Sequence, residues 1–551
     1  MAASFPKTET MNTTTQSNKP PMLAQPTNGS FIHLKLWSEL LLVISTVLAP
    51  AAAPSATIEL RAPTDQASAY FGSSMLGLAD LTGDGMGELA VGAFGYNGAG
   101  ALGYIGDGAV FILNGRDFSL VRQIHSPNPN GGEDSGSFGW SLAETSDASG
   151  DGVPELIVGA IYADRPNLLD AGFGQAYVID PTTGASLQTL SAPRPRRNTR
   201  FGWNVASLPT KTAGQVTRIA VGAPSAPVGQ VHLYDAVTGE LISTFGAPAP
   251  KSGDWFGASL AAIGDVDGDG RVDLAVGAGG EDNGLNSSPG AAYLVSGETG
   301  KLLYPLIPPD LPAITRHRWS VAGVPDVNGD GKTDVLVGVP LASPLGELAM
   351  AGRAYLFSGG DGRWLRTVVS PEPQARGFFG WAVAGLPDIT GDGVAELLIS
   401  AAARPSVGSL GERRMHLMNG ATGQRIETFK SLSNGESFGF SITGMLDRAG
   451  KLRTIASGAA VEPPPPAPSR AGRAYAFPLS LSFVSVAMSG EGIRVSVTAT
   501  DDKSYNLQAS SDLAAWTTLT TLNAAVQPVT FVDKAASATG QRFYRAQRAA
   551  P

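Results

Sequence analysis

The chain reads as an all-β protein, a seven-bladed β-propeller followed by a small β module, and three observations carry that reading. Phe-Gly recurs at Phe71, Phe138, Phe201, Phe256, Phe379 and Phe438, and His317-Arg318 stands at the equivalent place of one further repeat, so that seven copies follow one another every 55 to 67 residues. Each copy holds short apolar runs separated by Gly-containing turns, the pattern of strands rather than of long helices. In composition, 69 Gly and 39 Pro among 551 residues supply the turns, while a 43% hydrophobic share is enough for a sizeable core.

The elements follow in chain order. Residues 1–53 read as a leader ending in a secretory signal: His33 and Lys35, an apolar run over 40–49, then Ala51-Ala52-Ala53 as the small-residue cleavage site. That run is too short to span a bilayer, so no transmembrane span is expected and the mature chain should start near Pro54. Residues 54–478 are the ring. Phe-Gly opens a first strand, and a second follows about twenty residues later, as at Leu89–Ala93, Leu156–Ala160 and Leu274–Ala278. A third opens with Gly and carries an aromatic residue or His, namely Tyr177, His232, Tyr293 or Tyr355, and a fourth follows a turn, as at Trp364–Val368. Four short antiparallel strands per repeat describe a propeller blade. Strands one to three occur seven times, but the fourth follows them only six times; residues 57–60 are the missing copy and should complete the last blade, leaving the ring no open edge. The tail, 479–551, alternates polar and apolar residues over 492–497, 505–509 and 529–532 and reads as a separate sandwich-like module with Trp516 in its core.

Between the first and second strands, five repeats carry an acidic nine-residue loop. Its side-chain ligand positions one, three, five and nine are Asp80, Thr82, Asp84 and Glu88; Asp147, Ser149, Asp151 and Glu155; Asp265, Asp267, Asp269 and Asp273; Asp326, Asn328, Asp330 and Asp334; and Asp388, Thr390, Asp392 and Glu396. Position seven, occupied by Met86, Val153, Arg271, Lys332 and Val394, would contribute a backbone carbonyl. Oxygen ligands at this spacing suit Ca²⁺, which takes six to eight oxygens, better than Mg²⁺ with its tight octahedron. About five structural Ca²⁺ ions are therefore expected, and since sixteen of the 48 carboxylates lie in these loops, five ions would carry the net charge from −9 to +1. In the third repeat Thr210-Lys211-Thr212-Ala213-Gly214 has no carboxylate and in the seventh Leu446-Asp447-Arg448-Ala449-Gly450 has one, so neither is expected to hold metal.

The remaining composition narrows function. With 39 Lys and Arg against 48 Asp and Glu, a nucleic-acid partner is excluded on charge. Zero Cys removes disulfides, thiolate metal sites and cysteine nucleophiles, and five His leave no room for a His-rich metal centre. Trp140, Trp203, Trp319 and Trp381 recur two residues after the blade opening and read as a packing layer; Tyr96, Tyr104 and Trp255 lie in irregular loops and are the better binding candidates. Arg194, Arg196, Arg197 and Arg200 form a basic loop that reads as solvated charge, with an anion contact as the alternative.

The Phe-Gly openings, the Gly222-Ala223-Pro224 ending, the D-x-D-x-D-G-x-x-D loops and the seven copies resemble the FG-GAP repeats of integrin α-subunits over about residues 57–478. That resemblance implies a propeller with Ca²⁺ on the loops of its lower face and partner binding on the opposite face. The chain departs from it in having five metal loops, more than integrins carry, and neither stalk domains nor a membrane span. The tail, with Leu507 to Leu513, Trp516 and Gln541 to Arg545, resembles more loosely a C-terminal module of secreted bacterial proteins. The expected function is a secreted or cell-surface, non-catalytic adhesion module for a protein or polysaccharide. The alternatives are a structural component of a surface layer and a propeller hydrolase or lyase with a channel active site.

Overall fold

The computed structural model describes residues 57–548, apart from loop segments 98–105, 129–135, 164–171, 211–216, 281–289, 311–318, 344–347, 403–412, 433–436 and 461–470, short tail segments and a few single positions, together with strand Val47–Leu48. His317, Arg318, Tyr104 and most of the leader lie outside the described residues. Seven four-stranded antiparallel sheets follow one another as blades; six use consecutive strands, from Phe71–Gly77 to Arg425–Lys430. The seventh joins Ser441–Leu446, Leu452–Ala459 and Arg473–Pro478 to Ile58–Leu60, with Ile58 opposite Ala476 and Leu60 opposite Ala474. The expected closure of the ring by the N-terminal strand is thus what forms. Among the described residues no helix is long and apolar enough to cross a membrane.

The Phe-Gly pair does two jobs. All six phenylalanines are fully buried, and each meets the ring of its own blade's third strand, Phe111, Tyr177, His232, Tyr293, His416 or Tyr475, with centroids 5.4 to 5.9 Å apart. That explains the recurring aromatic or His: it is a packing partner. His232 and His416 are accordingly neutral, pushed down to about 4 by burial, with their Nδ1 atoms 2.8 and 3.0 Å from Thr244 and Thr428 Oγ1. The glycine has φ between +82° and +90° in all six copies, and a Cβ on Gly72 would lie 2.3 Å from the Arg473 carbonyl oxygen of the blade beside it.

That tight approach exposes the glycine carbonyl to the preceding blade. Ser74, Ser141, Ser320 and Ser441 donate from their first strands to the carbonyls of Gly139, Gly202, Gly380 and Gly72 at 2.7 to 3.0 Å. Blade six has Ala382 on its first strand, and Ser400 of its second strand makes the equivalent bond to Gly439 at 2.7 Å. At the remaining two boundaries Asn204 Oδ1 accepts from Leu260 N at 3.2 Å and Ser259 Oγ from Val321 N at 3.0 Å. Every blade boundary therefore carries a hydrogen bond of this kind, each contributing about 1 kcal/mol.

In the tail, Ser482–Ser489, Gly492–Ala499 and Val529–Asp533 form one sheet with Val47–Leu48, and Thr517–Asn523, Ser504–Ser510 and Phe543–Arg548 form another. Val495, Val497, Tyr505, Leu507 and Tyr544 make its core. Trp516, expected there, is only half-buried, and the tyrosines take the large-ring positions instead.

Candidate metal loops and the channel mouth

The five acidic loops share one construction. The carboxylate at position one, Asp80, Asp147, Asp265, Asp326 or Asp388, accepts the backbone N–H groups three and five residues on at 2.6 to 2.9 Å, which curls the loop around it. Those donors are glycines at positive φ, and at Gly150, Gly152, Gly268, Gly270, Gly329 and Gly331 nothing lies within 4 Å of where a Cβ would stand. Backbone conformation, not space, demands glycine there. Asp84, Asp151, Asp269, Asp330 and Asp392 at position five hold the N–H groups of Met86, Val153, Arg271, Lys332 and Val394 at 2.8 to 2.9 Å. Position nine lies beneath: Glu88, Glu155, Asp273, Asp334 and Glu396 are at most 1% exposed, and each accepts the N–H of position two at 2.6 to 2.8 Å. Position three is less uniform: Thr82 donates to Glu88 at 2.7 Å, Ser149 and Thr390 to the position-one Asp at 3.4 Å, Asn328 to Asp330 at 3.0 Å, and the Asp267 N–H to Asp273 at 3.2 Å.

Four groups bring carboxylate oxygens within 4.8 Å of one another: Asp80, Asp84 and Glu88; Asp147, Asp151 and Glu155; Asp265, Asp267 and Asp269; Asp388, Asp392 and Glu396. The Asp326 loop does not gather three in this way, and its Lys332 ammonium reaches across to the Val266 carbonyl of the neighbouring loop. Burial drives Asp273 and Asp334 up to about 6, Glu396 to about 8, and Glu88 in the same direction. Exposed Asp147 is lowered instead, chiefly by the Gly152 N–H. Glu396 Oε1 is buried and meets no donor of normal geometry among the described residues. An oxygen-only donor set with an orphaned buried carboxylate oxygen fits a hard divalent cation.

Sequence reasoning missed one partner. The turn between the third and fourth strands places Asn114, Ser296, Ser358 and Asn419 against Asp84, Asp269, Asp330 and Asp392, at 2.8, 3.4, 3.2 and 2.6 Å. The bond from Asn114 also lowers the Asp84 pKa. The repeated polar residue four positions before Gly300, Gly362 and Gly423 is the signal that would have found it. In blade seven, Asp447 pairs with Arg453 Nε at 2.6 Å.

At the opposite end of the channel, Trp319 and Trp381 are buried, 3% and 8% exposed, as a packing layer requires. Trp140 and Trp203 are half-buried and join Tyr70, Phe94 and Trp255 in one arc, with centroid steps of 4.6, 4.8, 4.9 and 5.2 Å. Tyr96 is buried, its hydroxyl 2.7 Å from Thr64 Oγ1, so it is packing and not a surface contact. Arg194 and Arg196 are exposed, Arg197 lies outside the described residues, and Arg200 is stacked with its Cζ 5.4 Å from the rings of both Trp203 and Trp255. The arc adjoins a channel cavity of about 290 Å³ lined by Ser73, Ser141, Asn204, Ser259 and their apolar neighbours.

Residues 256–295 and 317–357 match the FG-GAP repeat family model. Among curated proteins, the chain is 29% identical to integrin alpha-2 of Bos taurus over 213 residues, which is 36% of this chain and 17% of that protein. It is 28% identical to integrin alpha-11 of Homo sapiens over 278 residues, covering 48% and 22%, and 34% identical to human integrin alpha-IIb over 135 residues, covering 22% and 13%. The chain thus spans less than a quarter of the length of these relatives. Among solved structures, Kuenenia stuttgartiensis hydrazine synthase superposes on 67% of this chain and 88% of its own at a TM-score of 0.41 and 12% identity, too distant to bear on function.

Proposed function

We propose that this integrin-alpha-like FG-GAP propeller is an exported, non-catalytic binding module, braced by structural Ca²⁺ on one face and engaging a protein or polysaccharide at the cell surface with the other. The observation that carries the reading is the division of labour between the two ends of the ring. One end has five oxygen-lined loops curled by their own position-one aspartates. The other has a half-buried aromatic arc at the channel mouth. In each loop, positions one, three, five and nine and the position-seven carbonyl would hold the ion; what the ion supplies is charge neutralisation of buried carboxylates. With a Kd of roughly 10⁻⁴ M, millimolar Ca²⁺ adds about 1.4 kcal/mol per site. The leader over residues 1–53 and the likeness to integrin alpha chains support an extracellular setting, where calcium is millimolar.

The test is retention of the labelled full chain by whole cells and secreted material of its own source, in millimolar Ca²⁺ and in chelator, before and after protease or periodate treatment of the target. Saturable, Ca²⁺-dependent retention is expected, and the treatment that abolishes it names protein or glycan. A folded, Ca²⁺-loaded chain that is not retained at all would sink the reading.

A further inference from the structure

We propose that the channel mouth on the side of blades one to four is a subsite for a uronic acid unit of an acidic polysaccharide, with the Arg200 guanidinium as its carboxylate anchor. This rests on the binding-module reading above and names its ligand class. Tyr70, Phe94, Trp140, Trp203 and Trp255 form a continuous run of rings, each partly accessible, whereas the equivalent Trp319 and Trp381 across the channel are buried. The run of rings on blades one to four is therefore the more open part of the mouth, with half-buried Phe440 of blade seven the accessible ring across from it.

Arg200 stands over two of those rings in a left-handed backbone conformation, φ 54°, and Trp255 is held at φ 55°. Non-glycine residues keep such conformations only where the surrounding structure over-determines them. The residue before Phe-Gly has the same conformation at Tyr70, Ser137 and Phe378, so it belongs to the blade; here it sets the guanidinium against two indoles that meet edge to face. Its Nε is buried and meets no hydrogen-bond partner among the described residues. The indoles hold the cation without taking its N–H bonds, and a guanidinium fork is the group that a carboxylate meets in two parallel bonds. Arg194 and Arg196, exposed on the same segment, add local positive charge to a chain whose net charge is −9. Beneath the arc, Ser141, Asn204 and Ser259 line the cavity; each makes one inter-blade bond and keeps further hydrogen-bonding capacity for a sugar hydroxyl.

The combination selects among ligands. A uronate offers a carboxylate for Arg200 and a flat ring face for the indoles. An acidic peptide offers the carboxylate without the ring faces, and a neutral glycan offers ring faces but leaves the Arg200 fork without an anionic acceptor.

The test is calorimetric titration of the full, Ca²⁺-loaded chain with oligomers of galacturonate, glucuronate and mannuronate, with their methyl esters, and with polyglutamate. Saturable binding to at least one uronate is expected, weakened at least tenfold by esterification and at least tenfold by Arg200→Gln or Trp255→Ala in variants that melt like the parent. No binding to any uronate, equal binding of the ester, or indifference to Arg200→Gln would overturn the subsite. Polyglutamate bound equally well and lost with Arg200→Gln would overturn it in favour of a protein carboxylate. The ester comparison uses the unaltered chain, so it decides even if a variant folds poorly. Failure here with cell retention intact would leave the binding module standing, and loss of both would remove both.

Discussion

Blades six and seven stand side by side and turn the same corner between their first two strands with different chemistry. Blade six places Asp388, Asp392 and Glu396 within one small volume and leaves Glu396 Oε1 buried without a donor of normal geometry among the described residues. Blade seven has the lone Asp447, which accepts the backbone N–H groups of Ala449 and Lys451 and takes Arg453 Nε at 2.6 Å. On the calcium reading of the acidic loops, the guanidinium does here for one carboxylate what an ion would do there for three. The same corner is thus occupied by a cluster of three carboxylates in blade six and by a single carboxylate with a covalently attached cation in blade seven.

The largest consequence is for chelation. Stripping Ca²⁺ should cost roughly 1.4 kcal/mol per acidic loop, and about 7 kcal/mol if all five are loaded, measured as a drop in denaturation midpoint. A midpoint that ignores chelator at millimolar starting Ca²⁺ would remove the metal reading of these loops. Next in size, Arg453→Met leaves Asp447 uncompensated and should cost about 2–3 kcal/mol by equally much in Ca²⁺ and in chelator. If calcium rescued that variant, blade seven would be a sixth ion site and the contrast would fail.

The smallest effect is also the sharpest, because its sign reverses. Burial raises Glu396 to about 8, above its ordinary value of 4.5, so the fold favours the protonated acid. The stability this contributes is complete below about pH 4.5 and is lost as pH rises through 8. Glu396→Gln imitates the protonated form. In chelator at pH 8 and above it should stabilise the chain by on the order of 2 kcal/mol. In Ca²⁺ it should destabilise by removing a charged ligand. Urea titrations of parent and variant in both conditions check this, and destabilisation of the same size in both would mean that Glu396 is merely a packing acid.

The architecture was legible because its signals are local and repeated. Phe-Gly, the strand runs and the missing fourth strand at 57–60 sit at fixed offsets, and the acidic loops put all their carboxylates within nine residues. What escaped depends on distance. Asn114 meets Asp84 from 30 residues away and Asn419 meets Asp392 from 27, so the neighbours appear only once the blade is folded. Ala382 looks like a lost hydroxyl until the second strand shows Ser400 making the bond instead. The tryptophans differ in burial although their offset is the same: Trp319 and Trp381 are buried while Trp140 and Trp203 are half-open, so position in the repeat does not set exposure.

Six of the seven inter-blade bonds join blades consecutive in the sequence, but the bond from Ser441 to Gly72 joins the last blade to the first, groups 369 residues apart. At 5 to 20 residues per second, a ribosome needs roughly 20 to 75 s to cover that separation. For all that time strand Ile58–Leu60 has been made and its partner Arg473–Pro478 has not. The last blade is therefore assembled from the oldest and the youngest parts of the ring, and its closure is a late, long-range event rather than a local one. A chain that stops before residue 441 would retain six complete blades, an uncovered sheet face at each end of an open arc, and strand Ile58–Leu60 without its partner, a template for pairing with another chain.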